Sequence, residues 1–351
     1  MLRRIYQTCE RGARQPVARS VSTGWQGCWP LLAVLIAVLL PVAVAPARSA
    51  GLAYVTNQGS ETVSVVDLAA MKVAGDIKVT GKPAGVALSP DRGTLYVSAP
   101  DARELVVIDA ATRFLRHRQP VGQGPLGLAV NPVSGDVLVA DWYEHRLYVL
   151  DPGGAHIRAS VEVGKSPSSV AVTPDGRRIL TADRDSNQVS IIDAESLKVL
   201  GRVPVGERPF GVTIDAEGRR AYTANVGSDD VSVVDIASMQ PVGSFKVGRR
   251  PYAVALTGGR AFVTDQYGGT VSVVDLASGK TIKAIPVGDH PEGIAADASG
   301  SKVYVACWFE NTLERIDTAT LEVDAKVTVG DGPRAFGDFL ADGRGSPESS
   351  G

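Results

Sequence analysis

Beyond residue 50 the chain has two tryptophans, Trp142 and Trp308, each followed by a second large aromatic, Tyr143 and Phe309. Gln266-Tyr267 is the matching pair in a third segment. Rings of this size on a connecting loop either pack against neighbouring segments or contact a ligand or protein. A second group is cationic. Lys82, Arg208, Arg249, Arg250, His290 and Arg334 flank prolines, with Phe210 and Tyr252 beside them. Gathered at one place, guanidinium groups could hold a carboxylate or phosphate through paired N–H donors; scattered, they are solvated loop charges. Glu207, Asp289, Glu292 and Glu310 lie close by and offset part of that charge.

Two pairings have chemistry of their own. His290 and Cys307 would approach each other if their segments form a hairpin turning near Ser299. A Cys–His pair suits a soft metal such as copper, but two ligands fall short of a full coordination shell. A lone Cys is otherwise a small core residue. Asp141 and His145 could form an acid–base dyad across one loop, an arrangement that is common and unspecific. Gly-x-Ser-x-Gly, His-Glu-x-x-His and Gly-x-x-x-x-Gly-Lys-Ser/Thr are absent. No catalytic residue is therefore assigned, and no cofactor is expected beyond the metal weighed at His290 and Cys307.

What positions these residues is a repeat. Prolines 83, 125, 167, 209, 251, 291 and 333 step by 42 residues, except for one step of 40. Aspartates 67, 109, 151, 193, 235, 275 and 317 keep the same phase, including the short step. Each unit reads as four short strands rich in Val, Ile and Tyr, separated by Gly, Pro and Asp turns. A unit of this length with four strands is a propeller blade. The expected fold is all-β: a seven-bladed β-propeller of four-stranded blades over residues 51–340, closed by the C-terminal strand (Pro333 to Leu340) completing blade 1. The residues missing from blade 6 are placed at its Gly258-Gly259 turn.

Strands A and B then run in opposite directions, so D–A and B–C loops share one face and A–B and C–D turns the other. The first face varies between blades and carries every candidate named above. The second is uniform. Its repeated aspartates are read as turn caps that accept backbone N–H groups, not as a metal ring. The polar residues that end strand B, among them Asn57, Asp141, Asp183, Asn225 and Asp265, are read the same way.

Residues 1–50 order themselves as a leader. Arg3, Arg4, Arg11, Arg14 and Arg19 precede the apolar run Leu31 to Ala45, and Ala45-Pro46-Ala47 offers small residues for cleavage. A signal peptide is expected, with an uncleaved N-terminal anchor as the alternative. Arg3-Arg4 is a faint twin-arginine signal. The body is thus expected in the periplasm or otherwise exported, with residues 341–351 as a flexible tail. The leader holds six Arg, no Lys and one Glu, and the remaining chain carries −7 of the overall −2. An acidic body disfavours nucleic acid as a partner.

Tyr54-Val55-Thr56-Asn57, echoed at Tyr96-Val97-Ser98-Ala99 and Tyr222-Thr223-Ala224-Asn225, resembles the YVTN β-propeller family, YncE-like proteins among them. The Pro-x-Gly-Val/Leu openings at Pro83, Pro125 and Pro209 match it too. The resemblance implies an exported protein, and it admits propellers that accompany quinoprotein oxidation pathways. The main functional expectation is a ligand- or protein-binding scaffold. Its mouth comprises Trp142, Tyr143, His145, Arg208, Arg250, Tyr252, Tyr267, His290, Cys307, Trp308 and Arg334, and it holds a small anionic ligand or a periplasmic protein. The alternative is an accessory subunit of a periplasmic quinoprotein or cytochrome oxidation system. A hydrolase or lyase using Asp141, His145 or His290, and a single-stranded nucleic-acid binder, rank below these. Membrane contact is expected only through the N-terminal segment if uncleaved, and the chain is expected to be a monomer.

Overall fold

The computed structural model describes residues 51–341. The expected leader, and the tail past Ala341, lie outside the described residues. Seven sheets stand side by side, each with four blade strands ordered A-B-C-D from the centre outward, and the sheet of blade 2 carries the short Phe336–Gly337 strand as a fifth on its inner edge. Blade 4, for example, has A at Pro167–Val172, B at Arg178–Asp183, C at Gln188–Asp193 and D at Val199–Pro204. Each strand A packs against that of the next blade all the way round. The described chain is a seven-bladed β-propeller, and its only helical element is the single 3-10 turn Arg184–Ser186.

Burial follows position in the blade. Strand B is covered on both faces by neighbouring blades, so Leu52–Asn57 is buried almost end to end. Strand D is the outer edge. Lys72–Lys78 buries only Ile77, and Phe245 and Ile285 repeat that single anchor in blades 5 and 6. An outer edge that short and polar resists pairing with another chain.

The third residue of the Tyr-Val-Thr-Asn motif joins one blade to the next. Thr56 Oγ1 accepts the N–H of Ala335 (3.0 Å) and donates to the carbonyl of Ala84 in the following blade (2.8 Å). Ser98 does the same between Gly85 and Leu126, and Thr264 between Ala253 and Glu292. Blade 4 has Ala182 at this position, and Ser168 on strand A bonds the Phe210 carbonyl instead (2.8 Å). The same close approach explains the Gly of Pro-x-Gly. A Cβ on Gly293 would lie 2.2 Å from the Ala335 carbonyl oxygen, and one on Gly85 would lie 2.2 Å from that of Leu126.

Closure uses the C-terminal strand, but in two pieces. Leu340–Ala341 pairs with Leu52 and Ala53, and along the same edge the Tyr54 N–H donates to the Phe339 carbonyl and the Arg334 N–H to the Thr56 carbonyl. Between them, Phe336–Gly337 turns inward and pairs in parallel with Gly85–Val86 of blade 2. Gly337 has φ 124°, and a Cβ there would lie 2.3 Å from the Val86 carbonyl oxygen, so only glycine makes this crossing. The expected continuous strand from Pro333 to Leu340 is therefore interrupted.

Blade 6 absorbs its shorter repeat where expected. Gly258 and Gly259 both have positive φ and form a two-residue hairpin turn between Thr257 and Arg260. The phase-locked aspartates cap their turns. Asp67 Oδ1 accepts the N–H groups of Ala69 and Ala70, and Asp235 and Asp317 repeat the pattern. Arg116 and Lys302, bonded to Asp109 and Asp317, hold those two carboxyls far below the usual range.

Candidate functional site

The D–A loops place their charged residues through an unusual backbone. The residue before the proline is left-handed at Lys82, Ser166, Arg208, Arg250 and His290. At three of these positions its N–H is tied down by a side chain from the preceding blade's B–C loop. Arg208 donates to Asn187 Oδ1 (2.8 Å), Arg250 to Asp229 Oδ1 (2.8 Å) and Ser166 to His145 Nδ1 (3.0 Å). His145 thus stands where other repeats hold Asn187, Asp229 and Asn311, and it forms the same staple. Asp141 is occupied separately, accepting backbone N–H groups from Gln123, Gly124, Tyr143 and Glu144. Both members of the suggested acid–base dyad hold loops in place and are not bonded to each other.

Blades 6, 7 and 1 bring six of the candidate residues together. The Arg250 guanidinium lies 4.3 Å from the Tyr267 ring, and that of Arg334 lies 4.7 Å from the Trp308 ring. His290 sits between Tyr267 and Phe309, at ring distances of 5.2 and 4.5 Å, with Nδ1 2.8 Å from Asp289. Trp142, on blade 3, leans under Arg184 toward Phe210. Trp142 and Trp308 are half-buried; the exposed rings are their neighbours. Tyr143 is 70% exposed, Phe309 63% and Tyr267 48%. Arg208 is exposed and apart from these groups.

Below this rim, the residue after each repeat proline surrounds the axis: Ala84, Leu126, Ser168, Phe210, Tyr252, Glu292 and Arg334. Blades 2 to 4 contribute small or neutral side chains, whereas blades 5, 6, 7 and 1 contribute two aromatics and an ion pair. Phe210 stacks on Tyr252 at 4.0 Å, and Phe336 reaches across to both at 5.2 and 5.9 Å. Tyr252 is buried in this plug and does not face the mouth. Its hydroxyl accepts from Arg334 (3.0 Å), whose NH1 also lies 3.6 Å from Glu292 Oε2. Glu292 was expected on the charged rim. It is instead 3% exposed, with Oε1 accepting from Gln266 and no hydrogen bond to Oε2. Burial raises its pKa, against the pull of Arg334.

Cys307 is fully buried, and burial beside Glu314 pushes its thiol up to about 12. It occupies the strand B terminus, the slot of Asn57 and Asp265, with Glu314 in the place of the strand C serines. The Cys307 and His290 backbones are neighbours, but the thiol points into the core while the imidazole bonds Asp289 on the rim. Among the described residues no group of three His, Cys, Asp or Glu could hold a metal.

No family model matches the chain, and no curated protein does. Solved structures do. Hydrazine synthase of Kuenenia stuttgartiensis superposes with a TM-score of 0.66 at 21% identity, covering 74% of this chain and 90% of that one. A functionally unknown protein from Desulfotomaculum acetoxidans gives 0.70 at 14%, covering 81% and 99%. The dihydro-heme d1 dehydrogenase NirN, in complex with DHE, gives 0.62 at 19%, covering 82% and 67%. At these identities the shared property is the fold.

Of the strand B termini expected to cap their turns, Asp141 does so, whereas Asn57, Asn225 and Asp265 bond strand C side chains. Asn57 and Asn225 donate to strand C serines at 2.9 Å, and Asp265 Oδ2 accepts from Thr270 and Ser272 at 2.8 and 2.7 Å. All three are buried. Burial raises the Asp265 pKa above 3.8, so its ionised form costs stability that a neutral amide would not. Asp265→Asn copies blades 1 and 5, whose serine hydroxyls accept from the amide. It is expected to leave stability nearly unchanged below pH 3.8 and to gain on the wild type as pH rises through the elevated carboxyl pKa. Urea denaturation across that range measures the difference; one that is constant with pH contradicts it.

Proposed function

We propose that the chain is an exported binding scaffold that captures a protein partner on the face made by its D–A and B–C loops. The observation that carries this reading is the set of exposed rings Tyr143, Tyr267 and Phe309. They share one repeat position, two residues past strand B, where the other blades have Gly59, Asp101, Asp185 and Gly227. Large rings left in water at loop tips are a standing cost unless a partner covers them. Arg250 and Arg334, stacked on Tyr267 and Trp308, supply the other residue type enriched at binding hot spots.

The Thr56 and Asn57 bonds give the YVTN-like motif a structural purpose, which supports membership of that family; the order of basic, apolar and small residues in 1–50 is what supports export. A second reading keeps the scaffold and specifies the partner: a component of a periplasmic oxidation system. Two structural neighbours, hydrazine synthase and the heme d1 dehydrogenase NirN, favour it.

The triple variant Tyr143→Ala/Tyr267→Ala/Phe309→Ala tests the face. Proteins that copurify stoichiometrically with the wild type are expected to fall at least about tenfold, since each hot-spot ring contributes ~2 kcal/mol. The melting temperature should not change. Undiminished copurification refutes the reading.

A further inference from the structure

The face opposite the aromatic rim holds a cavity of about 480 Å³ on the propeller axis. Its wall is the inner strand of each blade, from the small residue two places after the repeat proline onward. Val130, Val172, Ile214 and Leu256 form an aliphatic arc across blades 3 to 6, and all four keep part of their surface uncovered; Leu88, Ala296 and Asp338 hold the same position in blades 2, 7 and 1. Phe336 lines the inner end, where its contacts with Phe210 and Tyr252 separate the cavity from the rim side. The charged lining groups are Asp215 and Asp338. Asp215 ends strand A at the turn face and is committed to capping its own turn, accepting the N–H groups of Arg219 and Arg220. Asp338 is paired with Arg92 at 2.5 Å.

We propose that this funnel binds a small, uncharged, largely apolar molecule. The volume falls within the range of small-molecule sites, and one closed end with an aliphatic wall matches their composition. Charged guests are disfavoured. An anion would pass two rim carboxylates to reach a wall without a cationic side chain, and a cation would leave those carboxylates for a wall without a charged partner. A polar chain segment finds no charged or amide side chain below the rim. The guest's single polar group, where it has one, would face the turn side at Thr213 and Asp215. This site is independent of partner capture on the opposite face.

The neutral fluorophore N-phenyl-1-naphthylamine tests it on the full chain. Titration is expected to give saturable, blue-shifted emission at one probe per chain. Cyclohexanol should displace the probe, whereas cyclohexanecarboxylate and cyclohexylammonium should not. Val172→Phe fills the cavity and Ile214→Glu charges its wall, so each should weaken probe binding at least about tenfold. The rim triple variant should bind the probe as the wild type does, which separates this site from the docking face. Absence of saturable binding by the wild type, equal displacement by the charged competitors, or unchanged binding by folded Val172→Phe and Ile214→Glu would each overturn the proposal.

Discussion

A chain ending at Gly332 is expected to lose cooperative unfolding altogether. Residues from Pro333 onward supply the inner strand of blade 1, and Phe336, Phe339 and Leu340 are buried in it. Burying three such side chains is worth roughly 5–9 kcal/mol in transfer terms. Whole-domain stability is only about 5–15 kcal/mol. The deletion also removes the partner of Leu52–Ala53, the Asn57–Pro333 bridge and the parallel bridge to Gly85–Val86, so blade 1 loses its inner strand and blade 2 the strand paired with its own. Urea unfolding followed by far-UV circular dichroism should show a broad slope in place of a transition. A synthetic peptide spanning 333–341, added in trans, should restore it. Truncated protein that melts within a few degrees of the intact chain would mean that the ring holds without its closing strand.

The ring was legible in the sequence because one structural requirement recurs seven times. Pro, Gly and Asp recur at fixed phase wherever a turn or a blade contact demands them, and even the short sixth repeat resolves to a Gly-Gly turn. The loops were legible as a face, since strand direction alone assigns D–A and B–C connections to one side. Individual roles were less so. His145 reads as a potential acid–base group in isolation, yet its phase matches Asn187 and Asp229, and lining up the repeats would have exposed the staple. Glu292 has the composition of a rim charge, but the position after the proline turns it inward. Reading down that position from Ala84 to Arg334 would have identified the axial ring. Phe336 was beyond such alignment, because its inward turn depends on Gly337 breaking the strand that the repeat predicts. The turn-face cavity also escaped notice. Its wall is ordinary strand Val, Ile and Leu, and only closure of the ring leaves those side chains facing an open axis.

Replacing Arg334 with Met should destabilise the protein by about 3–5 kcal/mol, the usual cost of stripping the counter-charge from a buried carboxylate. The lower end is expected, because Arg334 keeps 21% of its side chain exposed and solvent already shares its charge. Glu292 has no substitute cation on its own strand, and Tyr252 loses the guanidinium N–H that bonds its hydroxyl. The double variant Arg334→Met/Glu292→Met should recover most of the loss, since an apolar pair of similar volume removes the stranded charge as well. The pH dependence distinguishes this cause from lost packing on Trp308. Burial already raises the folded pKa of Glu292 above 4.5, and removing Arg334 raises it further. A carboxyl with a raised folded pKa contributes its full stability below the unfolded value and loses it as pH climbs through the folded value. The deficit of Arg334→Met should therefore be small below pH 4.5, where Glu292 is neutral in both states, and should grow toward neutrality. Guanidinium chloride would screen the pair, so urea titrations at several pH values are the appropriate measurement. A deficit of equal size at every pH would assign the cost to the guanidinium's stacking on the indole, and the double variant would then recover nothing.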